Sequence, residues 1–473
     1  LSPFRELPWF SKQVSLDSIR NYLAFESFPD ELTVYPSVKK LLPGHFLSLK
    51  KGELKVARYY SLFTRSSAAE STEACSERLS ASNKLNQHLK NSVRLACRAD
   101  VPISILLSGG LDSSMITALV REQFPDLPIT AYHVRVDSPS YDESRFARKV
   151  AKHCQIELRE TTLDQALLQT TALGVLPHLD QPQADPGLLA KYIACGAASR
   201  THKVILTGDG GDEVFYGYHV FKAAYIESLV RLLPPNFFFR LAMPLLQLLP
   251  RSEKYLGTRF LAQHFLRGMS APVYVRSQRW IYPLSDPSLP VLKNLKVLNC
   301  LAEHHPEGIF SHERDFTLAE RVADLHRLLL SAYLPDYVLN NSDRASMLHS
   351  VEMRSPLLDT ELVNFVQSLD PRLNFRSGRT KLLLKHVAER YLPKDLVHRK
   401  KVGFTVPIAK LLRAGLSEDI ESVFSRPLVR KQGLWNEAYI QSLVAQHKSG
   451  ENMYKELWTI YSCLLYTSDA ADE

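Results

Sequence analysis

The sequence has no paired cysteines. Six of them, Cys75, Cys97, Cys154, Cys195, Cys300 and Cys463, are scattered through 473 residues, and no C-x-x-C occurs. That pattern argues against structural zinc and a disulfide framework, and for a reducing compartment. Long apolar runs are also missing. The most apolar region, Leu229 to Pro250, is broken by Arg231, Pro234, Pro235, Arg240 and Pro244. It reads as helices of a globular insert rather than a membrane span. No signal-peptide pattern opens the sequence, so the expected location is cytoplasmic, with no membrane partner. No Lys/Arg cluster interleaved with aromatics stands out, and no nucleic-acid partner is expected. The G-x-x-x-x-G-K-[ST] phosphate motif is absent too. What is present is ordinary for a folded chain: 45% hydrophobic and 23% charged residues, ample for sizeable cores, at a length that suggests two or three domains. The formal net charge of +8 is modest and suits a small polyanionic ligand.

One stretch organises the rest. The apolar run Val101 to Leu107 reads as a buried parallel strand, and Ser113 to Arg121 as a helix. Between them lies Ser108-Gly109-Gly110-Leu111-Asp112-Ser113-Ser114. A small-residue turn entering a helix leaves backbone N–H groups free, and the helix dipole favours negative charge there. Gly109 and Gly110 let a phosphate approach the backbone, and Ser108, Ser113 and Ser114 add hydroxyl donors. Asp112 would repel such a ligand unless a cation lay between them, which points to Mg²⁺.

Strand and helix then alternate. Strands are expected at Ile129–Val136, Ile156–Thr161 and Val204–Thr207, and helices at Glu143–His153, Leu163–Leu173 and Gly187–Arg200. This spacing predicts a parallel sheet covered on both faces, with ligands outside the carboxyl ends of its strands. A second loop, Thr207-Gly208-Asp209-Gly210-Gly211-Asp212-Glu213, follows the last of these strands. Asp112 and Asp212, from two strand ends, are placed to grip Mg²⁺, with Asp209 toward the reacting carboxyl group or its amine attacker. Glu213, Asp142 and Glu143 read as helix-start acids. The Leu179–Pro186 turn faces the same end and is expected to line an acceptor pocket.

Elsewhere the pattern is plainer. Ser15 caps a helix to Ala24, and Phe46–Leu49 and Glu53–Tyr60 form a hairpin around Lys50-Lys51-Gly52. Residues 64–80 read as a linker, and 221–330 as a helical insert. Glu352 and Arg354 read as a salt bridge in a helical domain, and Arg344 as a phosphate or carboxylate ligand. The basic His398–Phe404 loop offers either a lysine that neutralises leaving-group charge or a solvated surface.

Taken together, Ser108–Ser113, Thr207–Glu213, Asp343–Met347, Glu352–Asp359 and Lys401–Phe404 resemble the glutamine-dependent asparagine synthetase family over nearly the whole chain. The resemblance implies an α/β fold: a parallel-sheet, Rossmann-like ATP-pyrophosphatase domain at 81–462, with a large C-terminal helical part. Residues 1–63 would be a small β remnant of a glutamine amidotransferase domain. Its nucleophilic cysteine would precede this sequence, so no residue here is assigned to glutamine hydrolysis. Residues 463–473 look unlike the preceding helix and are expected to be a non-native tail.

By the same resemblance, Leu106, Val134, Thr207 and Gly208 touch the adenylate, and Ser108, Gly109, Gly110 and Ser113 cradle pyrophosphate. Asp112 and Asp212 hold Mg²⁺; Asp209, Lys401, Lys381 and Arg344 serve catalysis. The implied cofactors are ATP and Mg²⁺. The implied partners are small molecules, namely a carboxylate such as aspartate and glutamine-derived ammonia, with a homodimer left open. Two departures concern the acceptor. Asp180-Gln181-Pro182 stands where Asp-Glu-Pro is usual, and Asn340-Asn341-Ser342 where Val-Lys-Val is usual. Aspartate amidation, amidation of another carboxylate in polysaccharide or secondary metabolism, and a non-catalytic ATP-binding role are the three readings carried forward.

Overall fold

The computed structural model describes residues 1–11, 13–63, 74–230, 246, 257–271, 273–285, 289–292, 317–401, 403, 405–414, 416–425 and 433–469. Its centre is a five-stranded sheet in the order β5-β4-β3-β6-β7, parallel throughout. The strands are β3 (Ile103–Leu106), β4 (Thr130–Val136), β5 (Glu157–Leu163), β6 (Val204–Leu206) and β7 (Glu352–Arg354). From β3 the chain winds outward through β4 to β5, then returns to the other side of β3 as β6. The strand order therefore reverses between β3 and β6. The crevice at their carboxyl ends is where such sheets bind ligands.

The period-2 alternation of the strands divides their side chains between two cores. Ile103, Ile105, Leu107, Ala131, Val204 and Leu206 join one, with the helices Ala74–Ala96, Leu111–Gln123 and Leu382–Ala388. Leu106, Tyr132, Val134, Val136 and Ile205 join the other, with helices Gln165–Val175, Gly187–Ala198 and Tyr454–Asp469. Both faces are thus covered, as parallel sheets require.

One expectation is corrected. Glu352 and Arg354 lie not in a helix but in β7, the edge strand beside β6. They pair at 2.7 Å near the surface, and Arg354 also donates to the carbonyls of Ala96 and Arg98. Of the residues read as linker, 64–73 lie outside the described residues; the helical pattern of Glu73–Cys97 is present as the Ala74–Ala96 helix. The N-terminal segment carries the expected hairpin and capped helix. β1 (His45–Lys50) pairs antiparallel with β2 (Glu53–Arg58) and is largely exposed. The Leu16–Phe25 helix, capped by Ser15, is instead part of the second core. Its Tyr22 hydroxyl donates to the Thr459 carbonyl at 3.1 Å. Cys463 to Tyr466, expected to lie in a foreign tail, are buried on the Tyr454–Asp469 helix, and the Tyr466 hydroxyl donates to the Asp180 carbonyl at 2.8 Å.

Within the expected insert, helices His219–Val230, Thr258–Met269, Val273–Ile281 and Leu318–Leu328 are present. Most of Leu229–Pro250 lies outside the described residues. The last of these helices continues into a wide π-helical stretch, Leu329–Leu339, containing Pro335, and then the Asn340–Met347 helix. Among the described residues, no helix is long and apolar enough to cross a membrane.

Candidate active site

The turn after β3 is built as its composition requires. Gly109 adopts φ +81°, and a Cβ there would lie 2.7 Å from the Ala147 backbone nitrogen. Glycine alone meets both conditions without strain. The Ser108 hydroxyl accepts from the Gly110 N–H at 3.1 Å and lies 3.0 Å from the Ser113 hydroxyl. The Leu111–Gln123 helix starts here, and its first internal bond runs from Ser114 N–H to the Gly110 carbonyl. The N–H groups of Leu111, Asp112 and Ser113 precede that bond and have no carbonyl one turn back. All three residues line a cavity of about 280 Å³.

The loop after β6 packs directly on that helix start. A Cβ on Gly208 would meet Ser113 N at 2.8 Å and Asp112 Cβ at 3.0 Å, so the approach depends on glycine. It brings Asp112 and Asp212 to one cation. The buried Lys381 ammonium lies 2.5 Å from Asp112 and 2.6 Å from Asp212, and Lys401 Nζ lies 2.6 Å from the other oxygen of Asp212. Lys401 also stands over the Tyr218 ring at 4.7 Å.

Electrostatics separate the two acids. Burial raises the Asp112 carboxyl, with Lys381 opposing and Asp212 adding to the rise. Burial acts the same way on Asp212, but Lys381 and Lys401 together outweigh it and hold that carboxyl well below its usual range. Desolvation works against the Lys381 ammonium, yet the two carboxylates raise it on balance. Two oxygen ligands converging on one cation, beside unsatisfied helix N–H groups, form the donor set a magnesium polyphosphate needs, since Mg²⁺ binds through one or two carboxylates plus substrate phosphates. Asp112 and Asp212 fit that role.

The cavity gathers most of the expected residues. Leu106, Ser108, Gly110, Asp112, Ser113, Thr207, Gly208, Asp209, Asp212, Lys381 and Lys401 all line it. Gly109 shapes the turn, and Val134 lines a small adjoining hollow with Ser108 and Glu143. Arg344 is placed elsewhere. It is not among the lining residues and pairs with Asp180 at 2.7 Å. The Leu179–Pro186 turn likewise lines neither cavity; Leu179, Gln181, Gln183 and Ala184 are buried in packing. Of the three acids read at helix starts, Glu143 makes no capping bond and pairs instead with Arg399. Asp142 accepts from the Ser144 N–H at 3.0 Å, and Glu213 accepts from the Tyr218 hydroxyl at 2.6 Å.

Other residues appear that the motifs did not mark. Lys191, Lys222, Lys385, Arg399 and Lys400 line the cavity and, with Lys381 and Lys401, outnumber its acids. Arg399 reaches Glu143 at 2.5 Å and stacks on the Phe146 ring at 4.5 Å, which fixes the basic loop over the Ser108 turn. Burial pushes the Glu143 carboxyl up to about 7 despite that arginine. Lys191 is 5% exposed and pairs with both oxygens of Asp209, at 3.0 and 2.9 Å. A lysine inside the apolar run Leu188-Leu189-Ala190-Lys191-Tyr192-Ile193 is the signal that could have found it, because a buried ammonium needs a partner.

A parallel sheet with a glycine-turned anion nest at its switch point, two acids and an excess of lysines defines a nucleotide-binding domain built for polyphosphate. The asparagine synthase family model matches residues 84–468, and the chain belongs to that family. It is 23% identical over 468 residues to asparagine synthetase [glutamine-hydrolyzing] 1 of Bacillus subtilis, covering 96% of this chain and 69% of that protein. It is 25% identical over 477 residues to a putative asparagine synthetase [glutamine-hydrolyzing] of Mycobacterium tuberculosis, covering 98% of this chain and 68% of that protein. The amidase chry2 of Gibberella zeae is 25% identical over 413 residues, covering 80% of this chain and 60% of that protein. The chain is accordingly an ATP-using ligase that forms carbon–nitrogen bonds.

Proposed function

We propose that this protein converts aspartate to asparagine through an acyl-adenylate, using ammonia derived from glutamine and releasing AMP and diphosphate. The observation that carries the reading is the convergence of Asp112, Asp212, Lys381 and Lys401 on one side of a cavity whose other lining includes the Ser108 nest. The helix N–H groups of Leu111 to Ser113 bind the phosphates, and Lys401 and Lys381 take up the charge that develops on diphosphate as the carboxylate attacks the α-phosphorus. Asp112 and Asp212 would hold Mg²⁺, which supplies further neutralisation of the phosphate oxygens when bound. Thr207 and Gly208 lie where the adenylate forms, and Leu106 and Val134 flank its nucleoside. Enclosing both partners protects the acyl-adenylate from water. The glutamine-hydrolysing names of the bacterial relatives support the nitrogen source.

A second reading has its own support. The amidase-named fungal relative favours a carboxylate other than aspartate, and so does Asn340-Asn341-Ser342 standing where Val-Lys-Val is usual. Carboxylate-dependent ATP–diphosphate exchange tests both. Exchange with aspartate supports the first reading; exchange with other carboxylates and none with aspartate replaces it with the second.

A further inference from the structure

The cavity's positive charge is unevenly balanced. Seven lysine and arginine side chains line it. Four are matched by a carboxylate: Lys191 by Asp209, Lys381 by Asp112, Lys401 by Asp212 and Arg399 by Glu143. The other three, Lys222, Lys385 and Lys400, have no acidic partner among the described residues. They come together from three elements. Lys385 N–H donates to the Lys381 carbonyl at 2.9 Å, so Lys385 lies one helical turn beyond Lys381, about 6 Å farther along the axis. Lys222 lies one turn beyond His219 on the His219–Val230 helix, and Lys400 precedes Lys401 in the basic loop. Lys222 and Lys400 are exposed and Lys385 is half-buried, whereas Lys191 and Lys381 are buried. Lys222 is the common neighbour: its charge bears on Lys385 and, with Lys400, on His219. Burial lowers the Lys385 ammonium, and Lys381 and Lys222 lower it further. Burial, with Lys401 and Lys222, pushes the His219 imidazole down to about 4, so it stands neutral among them.

We infer that Lys222, Lys385 and Lys400 form an outer anion site that takes diphosphate once it has left the Ser108 nest. The inference rests on the acyl-adenylate reading given above, which makes diphosphate a product. Charge decides the direction. The inner lysines already share Asp112 and Asp212, and those carboxylates repel a free diphosphate. The outer lysines carry no such counter-charge, and a cleft wall of one sign concentrates the opposite ion. Their chemistry suits a moving guest. A lysine is a compact charge on a flexible stem and can follow an anion that an arginine fork would pin. A half-buried ammonium crowded by like charges also gains more from an arriving anion than a solvated one does. With diphosphate held there, the nest is clear for the next nucleotide.

The test asks whether diphosphate binds while the nest is full. Inorganic diphosphate is titrated calorimetrically into the whole protein, saturated with an ATP analogue that carries a methylene bridge between its α- and β-phosphates. Wild type should bind a further diphosphate. Lys385→Gln and Lys222→Gln should each weaken that binding about tenfold or more, the usual weight of one charge-assisted contact, and leave analogue affinity within about threefold. Lys385→Arg, which keeps the charge, should retain most of it. In turnover, diphosphate should inhibit without competing with ATP. No diphosphate binding to the analogue-filled wild type would overturn the inference, as would purely competitive inhibition. So would equal weakening of analogue and diphosphate in both variants, because the lysines would then belong to the triphosphate site. Orthophosphate binding as tightly as diphosphate would replace a product site with a general anion site. The reading beneath is scored separately. If no carboxylate supports ATP–diphosphate exchange and the further diphosphate still binds, the acyl-adenylate reading fails and the anion site stands.

Discussion

Lys381→Met is the sharpest perturbation of the phosphate side. The ammonium it removes touches Asp112 at 2.5 Å and Asp212 at 2.6 Å, and its side chain is 6% exposed. Asp212 keeps Lys401 at 2.6 Å, so the stranded group is Asp112. Removing one partner of a buried ion pair costs about 3–5 kcal/mol. For a cooperative unit of this length the unfolding entropy is about 1 kcal/mol per degree, so the melting point should drop by about 3–5 °C. The sign with pH follows from Asp112. Burial already raises its carboxyl, and losing Lys381 raises it further. The deficit is therefore full at alkaline pH, where Asp112 is forced to stay charged, and shrinks as the pH falls and Asp112 takes up a proton. If a metal belongs between the two acids, Mg²⁺ should restore part of the loss. Saturation at a hundredfold over Kd returns about 2.7 kcal/mol. Wild type, whose ammonium competes for the same oxygens, should respond less. Differential scanning calorimetry near about pH 8 and pH 5.5, with and without MgCl₂, reads all of this. Equal melting points for variant and wild type at the higher pH, or equal responses to Mg²⁺, would refute the shared-cation geometry.

Three further outcomes are expected. Asp112→Asn keeps a hydrogen-bond acceptor for Lys381 but loses the charge, and should abolish diphosphate exchange while circular dichroism stays unchanged. Glu143→Gln should flatten the stability–pH curve. The wild-type carboxyl is raised from 4.5 to about 7, so its contribution is complete below 4.5 and is lost as pH rises to about 7, and the amide has no such slope; denaturant melts across that window check it. Leu464→Ala, at a position with no exposed surface, should cost about 2–5 kcal/mol in chemical denaturation, and a silent result would mean that the helix bearing it is not core.

The parallel sheet and both glycine loops were legible because their signals are local. An apolar run, a small-residue turn and a helical period sit side by side in the sequence at Val101–Arg121 and again at Val204–Glu213. β7 was not legible. Three residues are too few to show a period of two, and Glu352-Met353-Arg354 carries charge at both ends because the strand lies at an edge. Lys191 was missed because its partners are distant in sequence: Asp209 lies 18 residues on and Ser342 lies 151 residues on. Arg344 shows the converse. Its type suits phosphate, but only the fold reveals that Asp180 already claims it. The Asn340-Asn341-Ser342 departure was visible in the sequence, and the structure supplies its meaning by setting Ser342 on Asp209 and Asn341 on Asp185.

The Leu16–Phe25 helix has a consequence for how the chain matures. Tyr22 meets Thr459 across 437 residues, and Tyr35 meets Tyr466 across 431. At typical synthesis rates of about 5–20 residues per second, the early helix waits on the order of 20–90 seconds for the segment that covers it. The sheet's two glycine loops can close long before then, while the greasy flank of that helix stays bare. A polypeptide cut short before Thr459 should therefore leave part of that helix's apolar face uncovered and bind a hydrophobic dye more strongly than the 473-residue chain.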